Sequence, residues 1–356
     1  MVSWGCGRRK GHGFPGYAFV SNAGGRSVAV VDLTRFAIAR RIPLPGAPGP
    51  ILAHPNRRSA LVLLPETGLI CEIDAASQAI SGKQQLGPAL GMRLSEDGKS
   101  LWILQPRSLV RLDTTQLHPA QTIRLPGTAT DFDLSEDSRG AIVFGADRQM
   151  ALVRLDSGAF EHRVTLSWEP SMVLFQANGK QVLAASQSDR SVSIFDVVTG
   201  RMVVRLPLPV APLHFCFNSD GGQLFVTGPG MDSVTIVFPY QTEIGETILA
   251  GHAPDAMAVS AVPSYLFVTN PESGSITVLD VDTRKLVATV SVGQEPRSVL
   301  ITPDNQYALV LNRRSGDMAV IWIAAFTARR HRTDPPPLFT MVPVGEGPVS
   351  AAIVQV

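Results

Sequence analysis

Charge of either sign is scarce in this sequence. Lys and Arg number 31 and Asp and Glu 30 among 356 residues, so the formal net charge at pH 7 is only +1. A nucleic-acid backbone or an anionic membrane surface is bound through an excess of positive charge, which this chain lacks. The sequence therefore predicts a protein that does not bind nucleic acid.

Cysteines and long apolar runs are also few. Cys6, Cys71 and Cys216 lack CxxC spacing, which excludes a disulfide framework and a cysteine zinc site. No apolar stretch approaches the length of about 20 residues that a membrane helix needs, so no transmembrane segment is expected. A Gly-Cys pair followed by basic residues resembles a bacterial lipoprotein processing site that lacks its preceding apolar segment. Residues 1–16 are thus either a flexible basic tail or the remnant of a signal with a lipid anchor at Cys6.

Apolar residues and turn formers are abundant. Apolar side chains make up 45% of the chain, with 31 Gly and 27 Pro, a profile typical of many short strands separated by turns. A chain of this length exceeds one ordinary hydrophobic core, which favours either two or three domains or a repeat architecture.

A repeat of about 42 residues runs through the chain. Each copy holds a strand, a turn, a second strand ending at an aspartate or its substitute, and a third strand. These anchor positions lie 39 to 43 residues apart and are Asp32, Asp74, Asp113, Asp156, Asp196, Phe238, Asp280 and Trp322.

The clearest copy spans residues 266–312 and reads LFVTNPESGSITVLDVDTRKLVATVSVGQEPRSVLITPDNQYALVLN. Its FVTN, followed by patterns like VSVID, VGxxPxxV and TPDG, resembles the YVTN family of bacterial β-propeller repeat proteins. The resemblance covers residues 17–356. It implies an all-β fold, a single β-propeller domain of four-stranded blades.

Counting the hairpins predicts eight blades, with a seven-bladed ring as the alternative. The chain starts in mid-repeat at Tyr17 and ends with a lone strand near Ser350–Val354, so we expect the C-terminal strand to complete the N-terminal blade. That closure removes the exposed edges of an open sheet. Residues 327–337 read as a Pro-rich, charged insertion and hence as an exposed loop.

No recognisable catalytic or cofactor motif occurs in the sequence. HExxH, GxSxG and CxxCH are missing, the GKS at residues 98–100 lacks Walker spacing, and the Asp-rich turns lack the closing glutamate of a calcium loop. The sequence therefore predicts neither a metal nor a cofactor.

Propeller sites are built instead from the strands around the central channel. Comparing equivalent positions near the starts of the inner strands yields Asp131, His214, Asp255 and Arg297 as candidate ligand-binding residues, with Glu169 and Glu295 as weaker candidates. The competing interpretation is a water-filled pore with solvated polar side chains.

Two functions remain open at this stage. The absence of catalytic motifs favours a non-catalytic binding or scaffold protein that presents its loops and channel mouth to a protein or carbohydrate partner. The alternative is a lactonase-like hydrolase of a small sugar lactone, since propellers that this chain resembles include lactonases. It would use Asp131, His214, Asp255 and Arg297 as its catalytic groups. The resemblance also implies a periplasmic or cell-envelope location.

Overall fold

The structure, a computed structural model, describes residues 13–327 and 336–356. Its strands form eight four-stranded antiparallel sheets, which confirms an all-β propeller and shows that the seven-bladed alternative is wrong. The only helix among the described residues is the 3-10 turn Ile323–Phe326, and no helix there is long and apolar enough to cross a membrane. Cys6, most of the 1–16 tail and most of the 327–337 insertion lie outside the described residues.

Seven of the eight blades are meanders in which consecutive strands are neighbours. In chain order the strands are β1 (Gly16–Asn22), β2 (Ser27–Asp32), β3 (Ala37–Pro43), β4 (Ile51–Ala53), β5 (Ser59–Leu64), β6 (Leu69–Asp74), β7 (Ala79–Gln85), β8 (Gly91–Leu94), β9 (Ser100–Gln105), β10 (Ser108–Asp113), β11 (His118–Arg124), β12 (Asp131–Leu134), β13 (Arg139–Phe144), β14 (Gln149–Arg154), β15 (Phe160–Thr165), β16 (Met172–Phe175), β17 (Gln181–Ser186), β18 (Ser191–Asp196), β19 (Met202–Pro207), β20 (His214–Phe217), β21 (Leu224–Thr227), β22 (Ser233–Phe238), β23 (Glu243–Leu249), β24 (Met257–Ser260), β25 (Tyr265–Asn270), β26 (Ser275–Asp280), β27 (Leu286–Ser291), β28 (Pro296–Ile301), β29 (Tyr307–Asn312), β30 (Asp317–Trp322), β31 (Leu338–Pro343) and β32 (Pro348–Gln355). Blade 1 contains β1 to β3 and β32, and blades 2 to 8 take successive groups of four strands beginning with β4.

The strands of a blade are called a to d from the channel outward, so that β4 is strand a of blade 2. Because antiparallel strands reverse direction, the a–b and c–d turns lie on one face of the ring, and the b–c turns and d–a loops on the other. We call these the a–b face and the b–c face. Most a–b turns contain a residue with φ between +55° and +71°: Gly98, Ser138, Gly179, Gly221 and Asn305. Gly and Asn adopt this conformation readily and are typical of tight turns.

The hydrophobic core lies between neighbouring blades, in eight clusters. Between blades 7 and 8, for example, Phe267 and Val278 of blade 7 pack with Val310 and Ile321 of blade 8, all fully buried. Each such side chain contributes about 1.5 to 3 kcal/mol of burial. The blades therefore stabilise one another, which holds the channel residues in a fixed ring.

The ring closes as predicted, through β32. This strand pairs with β1 in antiparallel register, with Tyr17 opposite Val354 and Ser21 opposite Ser350. The composite blade 1 thus takes its inner strand from the C-terminal end and its other three from the N-terminal end. All eight blades therefore have an inner strand, and the composite blade joins the two ends of the chain.

The anchor aspartates have a local structural role in the c–d turns. Asp280 accepts hydrogen bonds from the backbone N–H and the hydroxyl of Thr283, at 2.6 and 2.8 Å, and Asp32, Asp74, Asp113 and Asp196 do the same with a nearby Ser or Thr. The predicted end of strand c in blade 4, Asp156, was wrong by two residues. There strand c ends at Arg154, opposite Arg139, and Asp156 lies in the turn beyond it.

Candidate functional site

Three of the four predicted site residues meet at the b–c face of the ring. Asp255 accepts from His214 Nε2 at 2.7 Å and from Arg297 Nη1 at 3.2 Å, one through each carboxylate oxygen. Arg297 Nε also donates to Glu295 at 3.1 Å. We call His214, Asp255, Glu295 and Arg297 the mouth cluster.

The 42-residue repeat brings these side chains together. His214 begins β20, Asp255 precedes β24 and Arg297 is the second residue of β28, so they stand at the starts of three consecutive inner strands. A proline lies one residue before Asp255 and Arg297 and two residues before His214, and proline favours an extended entry into a strand. Residues one repeat apart in a propeller occupy the same height on neighbouring blades.

Asp255 is the buried centre of the cluster, with only 5% of its surface exposed. Its backbone carbonyl accepts from the Thr227 hydroxyl of blade 6, and its N–H donates to the Thr269 carbonyl of blade 7. Burial alone would raise the pKa of Asp255, but His214 and Arg297 outweigh burial and hold the pKa below its ordinary value. The carboxylate is therefore ionised and fixed in place.

His214 and Arg297 are the accessible members, with 40% and 44% of their side chains exposed. Each side chain contacts Asp255 through one nitrogen and leaves another for a ligand, Nδ1 of the imidazole and Nη2 of the guanidinium. Glu295 has a φ of +57°, a conformation uncommon for a residue other than glycine. The carboxylate of Glu295 accepts from Nε of Arg297, so that Asp255 and Glu295 bind different nitrogens of the guanidinium.

A cavity of about 420 Å³ adjoins the cluster between the b–c turns of blades 7 and 8. It is lined by Pro271, Glu272, Ser273, Gly274, Gln294, Glu295, Arg297 and Arg314. Two guanidinium groups and two carboxylates therefore face one small volume. Such a lining offers paired donors for an anionic group and acceptors for hydroxyls.

Asp131 does not join the mouth cluster, because it lies on blade 4 with blade 5 between it and His214. Its Oδ2 accepts from the Val173 backbone N–H of β16 at 3.1 Å, and Asp133 accepts likewise from Phe175 at 2.8 Å. Burial raises the pKa of Asp131, against the lowering effect of the Val173 N–H and of the Arg93 charge. Its observed role is to link the inner strands of blades 4 and 5.

Several residues around the site were missed from the sequence. Glu272 and Arg314 line the cavity from b–c turns, outside the inner-strand positions that yielded the candidates. Glu169, the other weaker candidate, is exposed at the entry to blade 5. A comparison of the b–c turns of neighbouring repeats could have identified Glu272 and Arg314, since these turns share a face with the starts of the inner strands.

The cluster is suited to anion binding and to proton transfer rather than to metal binding. Among the described residues, no group of three or more His, Cys, Asp or Glu side chains is arranged to hold a metal ion. A histidine oriented by a buried carboxylate can act as a base, while an arginine held by two carboxylates presents a fixed charge.

No protein-family model matches the sequence, and no curated protein matches it. Solved structures do. The dihydro-heme d1 dehydrogenase NirN in complex with DHE superposes with a TM-score of 0.78 at 15% identity, over 95% of this chain and 75% of that chain. The Kuenenia stuttgartiensis hydrazine synthase gives 0.61 at 19% identity, over 78% of this chain and 96% of that chain. At these identities the likeness shows the fold alone, a β-propeller, and the similarity to YVTN repeats stays a resemblance of pattern.

Proposed function

We propose that this protein is a non-catalytic binding protein that takes an acidic sugar at the b–c mouth of its propeller. The observation that carries the proposal is the convergence of His214, Asp255 and Arg297 beside a cavity that also contains Arg314. The proposal deepens the expectation of a carbohydrate partner, because it names the charge that such a partner carries.

The carboxylate of the ligand is the group that the arginines recognise. Arg297 is held by Asp255 and Glu295, so little of its side-chain freedom remains to be lost on binding. Two guanidinium groups in one cavity favour a planar anion, which a guanidinium binds through paired hydrogen bonds.

The hydroxyls of a sugar suit the remaining groups of the cavity. Glu272 and Glu295 accept hydrogen bonds, while Gln294 and Ser273 both donate and accept. A simple dicarboxylate would meet repulsion from the two glutamates. A polyhydroxylated ligand with a single carboxylate matches both the guanidinium groups and the hydrogen-bonding groups of the lining.

A haem is a second acid-bearing ligand to consider, since a propeller of this fold has been solved in complex with DHE. The arginines of the mouth fit the carboxylates that haems carry. An iron has less support, because Nε2 of His214 is bound to Asp255 at 2.7 Å and only Nδ1 of this histidine is left as a ligand. Likeness of fold does not by itself carry function over.

Lactone hydrolysis is the alternative function, and one observation favours it. Asp255 orients His214 with Nδ1 unused by this contact, so the imidazole is placed to take a proton from water while Arg297 steadies the developing oxyanion. The carboxylate of Asp255 is shared between His214 and Arg297 and is therefore not dedicated to the histidine. This sharing places the hydrolase second.

The test is calorimetric titration with gluconate, a simple dicarboxylate and hemin, together with a gluconolactone hydrolysis assay. We expect gluconate to bind, Arg297→Gln and Arg314→Gln to weaken it about tenfold or more, and Arg313→Gln, the neighbouring control, to leave it unchanged. Lactone turnover that is lost in His214→Gln would favour the hydrolase. Equal binding by wild type and Arg297→Gln would refute both.

We further propose a cell-envelope location, which rests on the YVTN resemblance and on the sequence around Cys6. Expression of the chain behind its native upstream region, with radiolabelled palmitate, tests this proposal. Label that is lost in Cys6→Ser supports a lipid anchor, and secretion to the periplasm without label supports export alone. Retention of the unlabelled protein in the cytoplasm contradicts the proposal.

A further inference from the structure

One position of strand c distinguishes blades 2 and 3 from the other six. The residue two places before the end of strand c always faces the next blade, and in six blades it is apolar and fully buried: Val30, Leu152, Ile194, Ile236, Val278 and Val320. Blade 2 has Glu72 there, and blade 3 has Arg111. Two neighbouring interfaces between blades therefore contain a charge where the repeat requires a hydrophobic contact.

The Glu72 charge is satisfied within the fold. Its Oε1 accepts from the Ser59 hydroxyl at 2.7 Å and pairs with Arg57 Nη2 at 3.1 Å. Arg57 also donates to the Thr114 carbonyl of blade 3. These contacts join blades 2 and 3 and give the buried Glu72 carboxylate the partners that a buried charge requires.

Arg111 is not satisfied in the same way. Its Nε atom is buried and has no hydrogen-bond partner among the described residues, although a buried donor without a partner costs about 1 to 3 kcal/mol. Directly across the strand pair lies Trp102, whose side chain faces blade 4 as well. The side chain therefore enters the interface between blades 3 and 4 without an internal partner.

A cavity of about 640 Å³ opens at this place on the a–b face, opposite the mouth cluster. It is lined by Leu94, Ser95, Glu96, Asp97, Lys99, Ser100, Trp102, Arg111, Asp113, Ala120, Leu134, Ser135, Glu136, Ser138, Leu155 and Asp156. Its volume lies within the range of small-molecule sites, roughly 300 to 1,000 Å³. The lining has an apolar part around Trp102 and three leucines, the partly buried guanidinium of Arg111, the exposed Lys99, and five carboxylates.

We propose that this cavity is a second ligand site, for a basic amino acid that is either free or at the C-terminus of a peptide. Arg111 receives the α-carboxylate, because a guanidinium binds a carboxylate through two parallel hydrogen bonds. Trp102 and Leu155 contact the aliphatic part of the side chain. The ammonium groups of the ligand are left for the acidic lining.

The charges of the cavity select a ligand of net positive charge. Five carboxylates line it against the cations of Lys99 and Arg111. Asp113 and Asp156 each use one oxygen within their own turns, with Thr115 and Ser157, and keep the other for a ligand. An anion without an ammonium group would meet repulsion from this lining.

The test compares ligands that differ by one group, by calorimetric titration of the intact chain. We expect L-arginine and L-lysine to bind about tenfold or more tightly than agmatine and cadaverine, which lack the carboxylate. Gly-Gly-Lys with a free C-terminus separates a peptide source from the free amino acid, and its C-terminal amide is the matched control. Binding of the amino acids alone assigns the free form.

Arg111→Leu is the decisive variant, because it restores the residue type that blade 4 has at this position. We expect it to fold with undiminished thermal stability and to lose the preference for arginine over agmatine. Arg107→Leu, on the opposite face of the same blade, should keep that preference. The proposal is overturned if neither the amino acids at millimolar concentration nor Gly-Gly-Lys gives heat, or if Arg111→Leu binds the ligand as wild type does.

Discussion

His214 and Asp255 are 41 residues apart in sequence, yet the imidazole Nε2 lies 2.7 Å from the carboxylate Oδ1 across the boundary between blades 6 and 7. The contact exists because the repeat returns the chain to the same height on the next blade. Arg297 adds the same relationship from blade 8. A site is thereby assembled from three repeats that individually contain no recognisable motif.

Asp255→Asn tests the electrostatic centre of this cluster. Removing the carboxylate charge leaves hydrogen bonds to His214 and Arg297 weaker, and we expect a loss of about 1 to 3 kcal/mol in the free energy of unfolding at pH 7. Urea denaturation measures this loss in the free energy of unfolding. Asp282→Asn, on an exposed turn residue, is the control and should change little.

The pH dependence of the same variant has a definite sign. The pKa of Asp255 is lowered in the folded protein, so its stabilisation is present above the unfolded pKa, about 4, and is lost as the pH falls through the folded value. The difference in stability between wild type and Asp255→Asn should shrink on acidification. A difference that grows below pH 4 would contradict the assignment.

Asp131→Asn should behave in the opposite way. Burial raises the pKa of Asp131 in the folded protein, so its ionisation destabilises the fold as the pH rises above the unfolded value. The amide keeps an acceptor for the Val173 N–H, and we expect the variant to be at least as stable as wild type at pH 7.

Asp131→Leu, which removes that acceptor, is the informative comparison and should lose about 1 to 3 kcal/mol. Urea denaturation at pH 4 and pH 7 measures all three proteins. If Asp131→Asn destabilised the protein more at pH 7 than at pH 4, the charge itself would be needed and the account of this residue would fail.

The anchor aspartates can be tested at Asp280, the best-formed example. Asp280→Ala removes both hydrogen bonds to Thr283, and since the turn is exposed we expect a loss of about 1 kcal/mol. Asp282→Ala in the same turn is the control. Equal thermal unfolding curves for the two variants would show that the anchor does not stabilise its turn.

Closure of the ring can be tested on two neighbouring residues of β32. Val354 is buried between blades 1 and 2, whereas Gln355 is exposed. Val354→Asp places an unpaired charge in that interface, and we expect a loss of about 3 kcal/mol or more, with Gln355→Asp nearly neutral. Similar denaturation midpoints would contradict the closure.

The fold could be predicted because the sequence pattern of each repeat indicates its strands and turns, and because the two chain ends complete one blade. The offset at Asp156 arose where a second aspartate follows the strand end at Arg154. The site was harder to predict from the sequence, since a position in the repeat gives the height of a residue in its blade but not the direction of its side chain. Asp131 of blade 4 hydrogen-bonds the backbone of blade 5, which separates it from His214, and Arg111 faces a cavity that no alignment of repeats predicts.

The central claim is that the mouth cluster binds the carboxylate of an acidic sugar, and a crystal structure of the protein soaked with gluconate tests it most directly. The account predicts a gluconate whose carboxylate lies within hydrogen-bonding distance of Arg297 or Arg314, with its hydroxyls toward Glu272 and Glu295. A mouth that contains only water at saturating gluconate, or a gluconate bound elsewhere, would contradict it.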